Sequence, residues 1–141
     1  MTTNHIINLP QHGSPEIGYL SLFEENNQIP FGIKRIYYTY DVPVGVKRGM
    51  HAHKKLQQVI WCPYGSIEII LDDGTTKTSY LLDSPNKALV MIKGYWRDIY
   101  WKKEGSVLCI AASDLYTEDD YIRDYDEFIK YAREECWKDE D

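Results

Sequence analysis

The sequence predicts an all-β domain, a small barrel or sandwich, followed by one C-terminal α-helix. Three observations carry that expectation. Short runs rich in β-branched and aromatic residues, alternating roughly with period two, fill the first four-fifths of the chain. Gly and Pro punctuate these runs at intervals of about 8–12 residues, the spacing of a sandwich or barrel. Beyond Thr117 the apolar period changes to that of a helix.

The runs can be taken in order. "YLSLFE" (19–24), "IKRIYYTY" (33–40), "QQVIW" (57–61) and "GSIEIIL" (65–71) read as strands. "DDGT" (72–75) reads as a hairpin turn, because Asp-Gly supplies the positive φ that a two-residue loop needs. "TKTSYLL" (76–82) then pairs back across it, and "KALVMI" (87–92), "DIYW" (98–101) and "SVLCIAA" (106–112) complete the β region. In the tail, Thr117 is a plausible N-cap with Asp120 three residues on, a variant of the capping box. Tyr121, Ile122, Tyr125, Phe128, Ile129 and Ala132 follow at three- and four-residue steps. One domain over 1–141 is expected, with the barrel at about 16–113 and an amphipathic helix at about 117–136 docked on it.

Composition narrows the function classes. A chain of 141 residues can bury a core, and 43% apolar residues with twelve tyrosines argue against disorder. The N-terminus shows no apolar run, so neither a signal peptide nor a membrane span is expected. Cys62, Cys109 and Cys136 are odd in number and in no CxxC pattern, which suits reduced thiols in a cytoplasmic protein. Residues 117–141 hold eleven acidic and four basic residues, so they carry the negative charge of a chain whose net is −6. No basic stripe is visible, which speaks against nucleic acid. The near-neutral body leaves room for a local cationic pocket that holds a small anion.

The chemistry is concentrated in "RGMHAHKKLQQ" (48–58). His51 and His53, two apart on a strand, present their imidazoles on one face. That pattern serves either metal ligation or proton transfer near neutral pH. Metal-binding cupins, which are small jelly-roll barrels, carry Gly, five residues, His-x-His, three or four residues, Glu, six residues, Gly, and later Gly-x-x-His. The chain fits this frame but not its ligands. Gln58 stands at the Glu position, and Arg97, three after Gly94, replaces the last His. A neutral amide is a poor metal ligand and a fixed cation repels a divalent ion. No metal and no cofactor are therefore expected, and the histidines are candidates for acid–base work.

"IPFGIKRIYYTYDV" (29–42), "RGMHAHKKLQQVIWCPYGSIEIILDDG" (48–74), "LDSP" (82–85) and "ASDLYTEDDYIRDYDEF" (112–128) together resemble the cupin-type sugar 3,4-ketoisomerases, over about residues 16–131. The resemblance implies a metal-free isomerase acting on dTDP-4-keto-6-deoxyglucose and moving the ketone from C4 to C3. It implies a homodimer with exchanged N-terminal strands. The product would pass to a pyridoxal-phosphate aminotransferase, on the way to a sugar of an O-antigen lipopolysaccharide, S-layer glycan or antibiotic. His51 and His53 would be base and acid, with the assignment open, and Tyr37 would shuttle a hydroxyl proton or hold the enediolate. Arg35 and Arg48 are the first candidates for the diphosphate, and Lys54 and Gln58 are weaker ones. Tyr121, Arg123, Asp124 and Tyr125 are read as helix docking and dimer contacts.

Two positions depart together from the commonest form of the pattern, which has Arg before the first-strand Gly and His after the second-half Trp. Here Ile17 precedes Gly18 and Arg97 follows Trp96. Members with Arg at the second position resemble producers of the gluco isomer, so the pair is expected to bear on the C4 configuration. The alternatives are a cupin 3,5-epimerase on the same sugar nucleotide, a sugar-nucleotide-binding cupin without turnover, and, last, a metal-dependent dioxygenase.

Overall fold

The protein is seen in a computed structural model, and the structure describes residues 4–136. Its strands are β1 (Asn4–Asn8), β2 (Gln11–Ser14), β3 (Gly18–Ser21), β4 (Arg35–Thr39), β5 (Lys47–His53) and β6 (Gln58–Tyr64). They continue with β7 (Ile67–Asp72), β8 (Lys77–Leu82), β9 (Lys87–Met91), β10 (Trp96–Trp101), β11 (Val107–Ala112) and the two-residue β12 (Tyr121–Ile122). Among the described residues a single α-helix, α1 (Tyr125–Tyr131), continues into a π-helical turn at Ala132–Cys136.

Two five-stranded antiparallel sheets form the body, in the orders β1-β9-β6-β11-β4 and β12-β5-β10-β7-β8. Their facing surfaces bury Ile60, Leu89, Leu108 and Ile110 from the first sheet against Ile67, Ile69, Leu71, Ile99 and Trp101 from the second. This is the expected all-β jelly-roll barrel. The first sheet is covered on its other face too, where Val59, Ala88, Val90 and Ala111 pack under Leu9, Ile29 and Phe31. Burial of both faces explains why "QVIWC", "KALVM" and "VLCIAA" are continuous apolar runs. The second sheet carries α1 outside, with Ala52, Trp96, Ile122, Phe128 and Ala132 in one cluster.

The tail departs from the expected helix over 117–136. Glu118–Asp120 is a 3-10 turn, and Tyr121 and Ile122 pair with His53 and Ala52 of β5. Backbone groups committed to that ladder cannot close helical turns, so the helix starts at Tyr125 with Asp124 as its N-cap. The Asp124 carboxylate accepts from the Glu127 N–H. Thr117 gives no side-chain cap to the 3-10 turn that follows it. The β7–β8 hairpin forms as expected, with Gly74 at φ +96°, but its loop is longer than two residues. Asp73 closes it by accepting from the N–H groups of Thr75 and Thr76.

β2 and β3 form a hairpin of their own that joins neither main sheet. Cys62 is buried and Cys109 half-buried, both as free thiols, while the Cys136 side chain lies outside the described residues. No helix among the described residues is long and apolar enough to cross a membrane.

Candidate active site

The site begins with an irregularity in β5. Gly49 and Met50 both have positive φ, +87° and +57°, and the β5–β10 register slips there, from Arg97 opposite His51 to Asp98 opposite Gly49. The extra residue is a β-bulge. Beyond it His51 and His53 share the inner face, while Ala52 between them packs outward under α1. The bulge also sets Arg48 opposite inward-facing Ile99, on the face that His51 occupies. On a regular strand residues three apart would face opposite ways.

The imidazoles stand 5.1 Å apart at 86°, with the Tyr121 ring 4.3 Å from His53 and 5.1 Å from His51. Their tautomers follow from their partners. His51 Nδ1 lies 3.0 Å from the Gly49 carbonyl oxygen, and His53 Nδ1 lies 3.0 Å from Asp120 Oδ2. A carbonyl and a carboxylate only accept, so each ring donates from Nδ1 and presents Nε2 as a bare lone pair. His53 Nε2 is buried without a hydrogen-bond partner among the described residues. Burial, and next the Arg97 cation, push His51 down to about 3. The same two causes, in the same order, hold His53 far below its ordinary value. Both rings are neutral at physiological pH, so each Nε2 is free to accept a proton.

Opposite them lies a polar chain in the barrel interior. Arg97 is 2% exposed, and donates from Nη1 to Gln58 Oε1 and from Nη2 to the Tyr95 carbonyl at 3.2 Å. Burial lowers its pKa to about 10, which still leaves it charged at neutral pH. Gln58 Nε2 donates to the Tyr37 phenol oxygen at 2.8 Å. Burial raises the Tyr37 pKa, with Arg97 opposing, so the phenol keeps its proton.

A cavity of about 420 Å³ opens beside His53, with Asp120 and Tyr121 on one wall and Lys34, Arg35 and Lys55 on the others. The Arg35 guanidinium lies 4.9 Å from the centre of the Tyr37 ring, and its Nε donates to the Asp114 carbonyl at 3.3 Å. The cavity therefore joins an acid–base group to a cationic wall, which suits a ligand with an anionic end.

The structure gathers His51, His53, Tyr37, Gln58 and Arg97 into one group and sets Arg35 at its mouth. The other candidates for the diphosphate do not line the cavity. Gln58 is 1% exposed, with Oε1 bonded to Arg97 and Nε2 to Tyr37, so it is no wall residue for a diphosphate. Lys54 is exposed, with its backbone N–H held by the Asp120 carbonyl, and its neighbour Lys55 lines the cavity instead. Arg48 is exposed and outside that lining. Ile17, 83% exposed, sits in the β2–β3 turn, where this chain alone brings it to no cavity. Sequence reasoning missed Asp120, Lys34 and Lys55, and it took Tyr121 for a docking residue. The one available signal was the polar "EDD" ahead of an apolar pair, which is unlike a helix interior.

The residues do not fit the divalent metal of other cupins. Gln58 and Arg97 hold the two remaining ligand positions, as a neutral amide bonded at both polar atoms and a buried cation. Among the described residues no group of three or more His, Cys, Asp or Glu is placed to hold a metal.

The family described as "FdtA: WxcM-like, C-terminal" matches residues 2–133. The chain belongs to that family of cupin-type sugar 3,4-ketoisomerases. It is 46% identical, over 81% of its length and 82% of the relative's, to a TDP-4-oxo-6-deoxy-alpha-D-glucose-3,4-oxoisomerase of Aneurinibacillus thermoaerophilus. It is similar to the crystal structure of a 3,4-ketoisomerase from Helicobacter canadensis, with 41% identity, 94% of this chain and 99% of that chain covered, and a TM-score of 0.89. The 3,4-ketoisomerase QdtA from Thermoanaerobacterium thermosaccharolyticum, as a histidine-to-asparagine mutant in complex with TDP-4-keto-6-deoxyglucose, also gives a TM-score of 0.89. That match has 35% identity and covers 96% of this chain and 97% of that chain. A dTDP-4-dehydrorhamnose 3,5-epimerase from Bacillus anthracis shares the fold at 15% identity, with a TM-score of 0.73 over 84% of this chain and 76% of that one.

Proposed function

We propose that this protein converts dTDP-4-keto-6-deoxyglucose to a dTDP-3-keto-6-deoxyhexose by proton transfer at the histidine pair. The observation that carries the reading is two neutral imidazoles, both with Nε2 bare, facing a protonated phenol and a buried guanidinium.

A neutral imidazole Nε2 removes the proton from C3. The C–H electron pair forms the C3=C4 double bond, and the C4 carbonyl electrons move onto O4. The Tyr37 phenol gives that oxygen its proton, and the Arg97 charge stabilises the developing negative charge through a low-dielectric interior. The enediol then gives its O3 proton to the Tyr37 phenolate, the O3–H electron pair forms the new C3=O3 carbonyl, and the C3=C4 pair takes a proton at C4 from the imidazolium. Protons balance, and no external oxidant is needed. Because both histidines start neutral, the acid at C4 is an imidazolium created by the first transfer.

The diphosphate is assigned to Arg35, with Lys34 and Lys55 beside it. The gluco product is favoured by the Arg97 and Ile17 pair. The protein works as a cytoplasmic dimer that exchanges N-terminal strands. Supporting the exchange, the β2–β3 hairpin joins neither sheet of its own chain and leaves Ile17, Tyr19 and Leu20 exposed. The keto product is a substrate for an aminotransferase in amino-sugar and O-antigen synthesis.

Incubation with dTDP-4-keto-6-deoxyglucose in deuterated buffer, followed by NMR of the hexose, tests the reading. A 3-keto product is expected, with deuterium at C4 to the extent that the imidazolium exchanges its proton with solvent before delivering it, and His51→Asn and His53→Asn divide the transfers. Deuterium at C5 instead would indicate an epimerase, and unchanged substrate despite dTDP binding would indicate a binding protein.

A further inference from the structure

The hydrogen-bond direction along Arg97, Gln58 and Tyr37 is fixed by chemistry alone. A guanidinium has donors and no acceptor, so Gln58 must turn Oε1 toward Arg97 Nη1. Its amide nitrogen, a donor only, then faces Tyr37 Oη at 2.8 Å. The phenol oxygen accepts there, which leaves the phenol's own proton uncommitted, and no acceptor among the described residues takes it. The network is enclosed, since Gln58 and Arg97 are 1% and 2% exposed, so water does not compete for these positions.

We infer that Gln58 is a positioning residue: it transmits the polarity of Arg97 to Tyr37 and so commits the phenol to donate its proton to the sugar's ketone oxygen. This inference rests on the isomerase reading above and names the residue that makes its acid a donor. It also gives a physical reason for an amide where metal-binding cupins have Glu. A carboxylate there would satisfy Arg97 equally well. It would, however, accept from the Tyr37 hydroxyl, and the substrate would lose its donor.

Gln58→Glu is thus nearly isosteric and keeps a partner for Arg97, yet it reverses one hydrogen bond. Its kcat, and its Kd for dTDP, are measured beside Tyr37→Phe and the double variant. Loss of a positioned proton donor typically costs about 100-fold or more. Gln58→Glu and Tyr37→Phe should each lose about that factor in kcat, with the Kd for dTDP within about threefold of wild type. Because Gln58 acts through Tyr37, the double variant should fall no more than about threefold below either single variant.

A second readout needs no turnover. The ring-carbon NMR signal of Tyr37, identified by its absence in Tyr37→Phe, should titrate at higher pH in Gln58→Glu than in wild type. The charged and titratable groups facing this phenol, Arg35 on β4, Arg97 on β10 and Tyr121 on β12, are the same in both proteins. If Gln58→Glu fails to fold, nuclear Overhauser contacts in the wild type decide the amide's orientation. Contacts from the Gln58 amide protons to the Tyr37 ring support the proposal, and contacts to the Arg97 guanidinium protons overturn it. A Gln58→Glu enzyme within threefold of wild-type kcat, multiplicative losses in the double variant, or an unmoved Tyr37 titration would each overturn it as well. A wild type that does not turn over the keto sugar defeats the isomerase reading, while the Tyr37 titration still tests the polarity of the chain.

Discussion

Lowering the pH from 7.5 to 5.5 should remove about 3 kcal/mol of folding stability through the two active-site histidines. In the unfolded chain each histidine takes a proton as the pH falls through 6.5. In the folded chain burial and Arg97 keep His51 neutral down to about 3, and they hold His53 lower still. Below pH 6.5 the unfolded state therefore binds more protons, so stability falls with pH. The contribution is fully present above pH 6.5, and the loss from His51 levels off near pH 3. One unit below the unfolded value each group costs about 1.4 kcal/mol, so the pair costs about 3 kcal/mol at pH 5.5. Carboxylates titrate mostly below that pH and add little to the difference. Urea unfolding at both pH values, at one fixed protein concentration, reads the change directly. His51→Asn and His53→Asn should each recover about half of the loss. If both variants lose as much stability as the wild type over the same interval, the reasoning that the native site rejects these two protons is refuted.

Three more outcomes are expected. Asp120→Asn can turn an amide N–H toward His53 Nδ1 and move the ring proton to Nε2, so that this ring no longer accepts a proton there; kcat should fall about 100-fold or more with dTDP affinity little changed, and imidazole 15N shifts would show the tautomer change. Phe128→Ala empties a fully buried site between Trp96 and Ile122, so unfolding experiments should show a loss of about 3–5 kcal/mol, with α1 and β12 loosened together. Placing Arg at 17 and His at 97 in one protein should change the C4 configuration of the product, read from the H4–H5 coupling; an unchanged product would remove this pair from stereochemical control.

Much of the barrel and part of the site can be read from local pattern. Period-two runs, Gly-bounded turns and His-x-His spacing act over a few residues, and a strand's pleat converts spacing directly into a shared face. Hence His51 and His53 fall side by side, and the hairpin turns at Gly74. Residue chemistry alone also makes Gln58 and Arg97 poor metal ligands. The tail shows the limit of period. Tyr121 and Ile122 fit the helical rhythm, but a ladder with β5 is open to their backbone, and it is taken; only from Tyr125 onward does the rhythm describe a helix.

Tertiary structure alone decided the polarity of the site. Asp120 fixes the His53 tautomer from 67 positions away, and Arg97 sets the direction of the Gln58 amide from 39 positions away. The bulge at Gly49 and Met50, which sets the reach of the histidine strand, depends on the register taken against β10. The sequence by itself determined which donors and acceptors exist and which local faces they share. Their direction was settled by folding, because a hydrogen bond's sense and a buried group's charge depend on partners that only the closed barrel brings within reach.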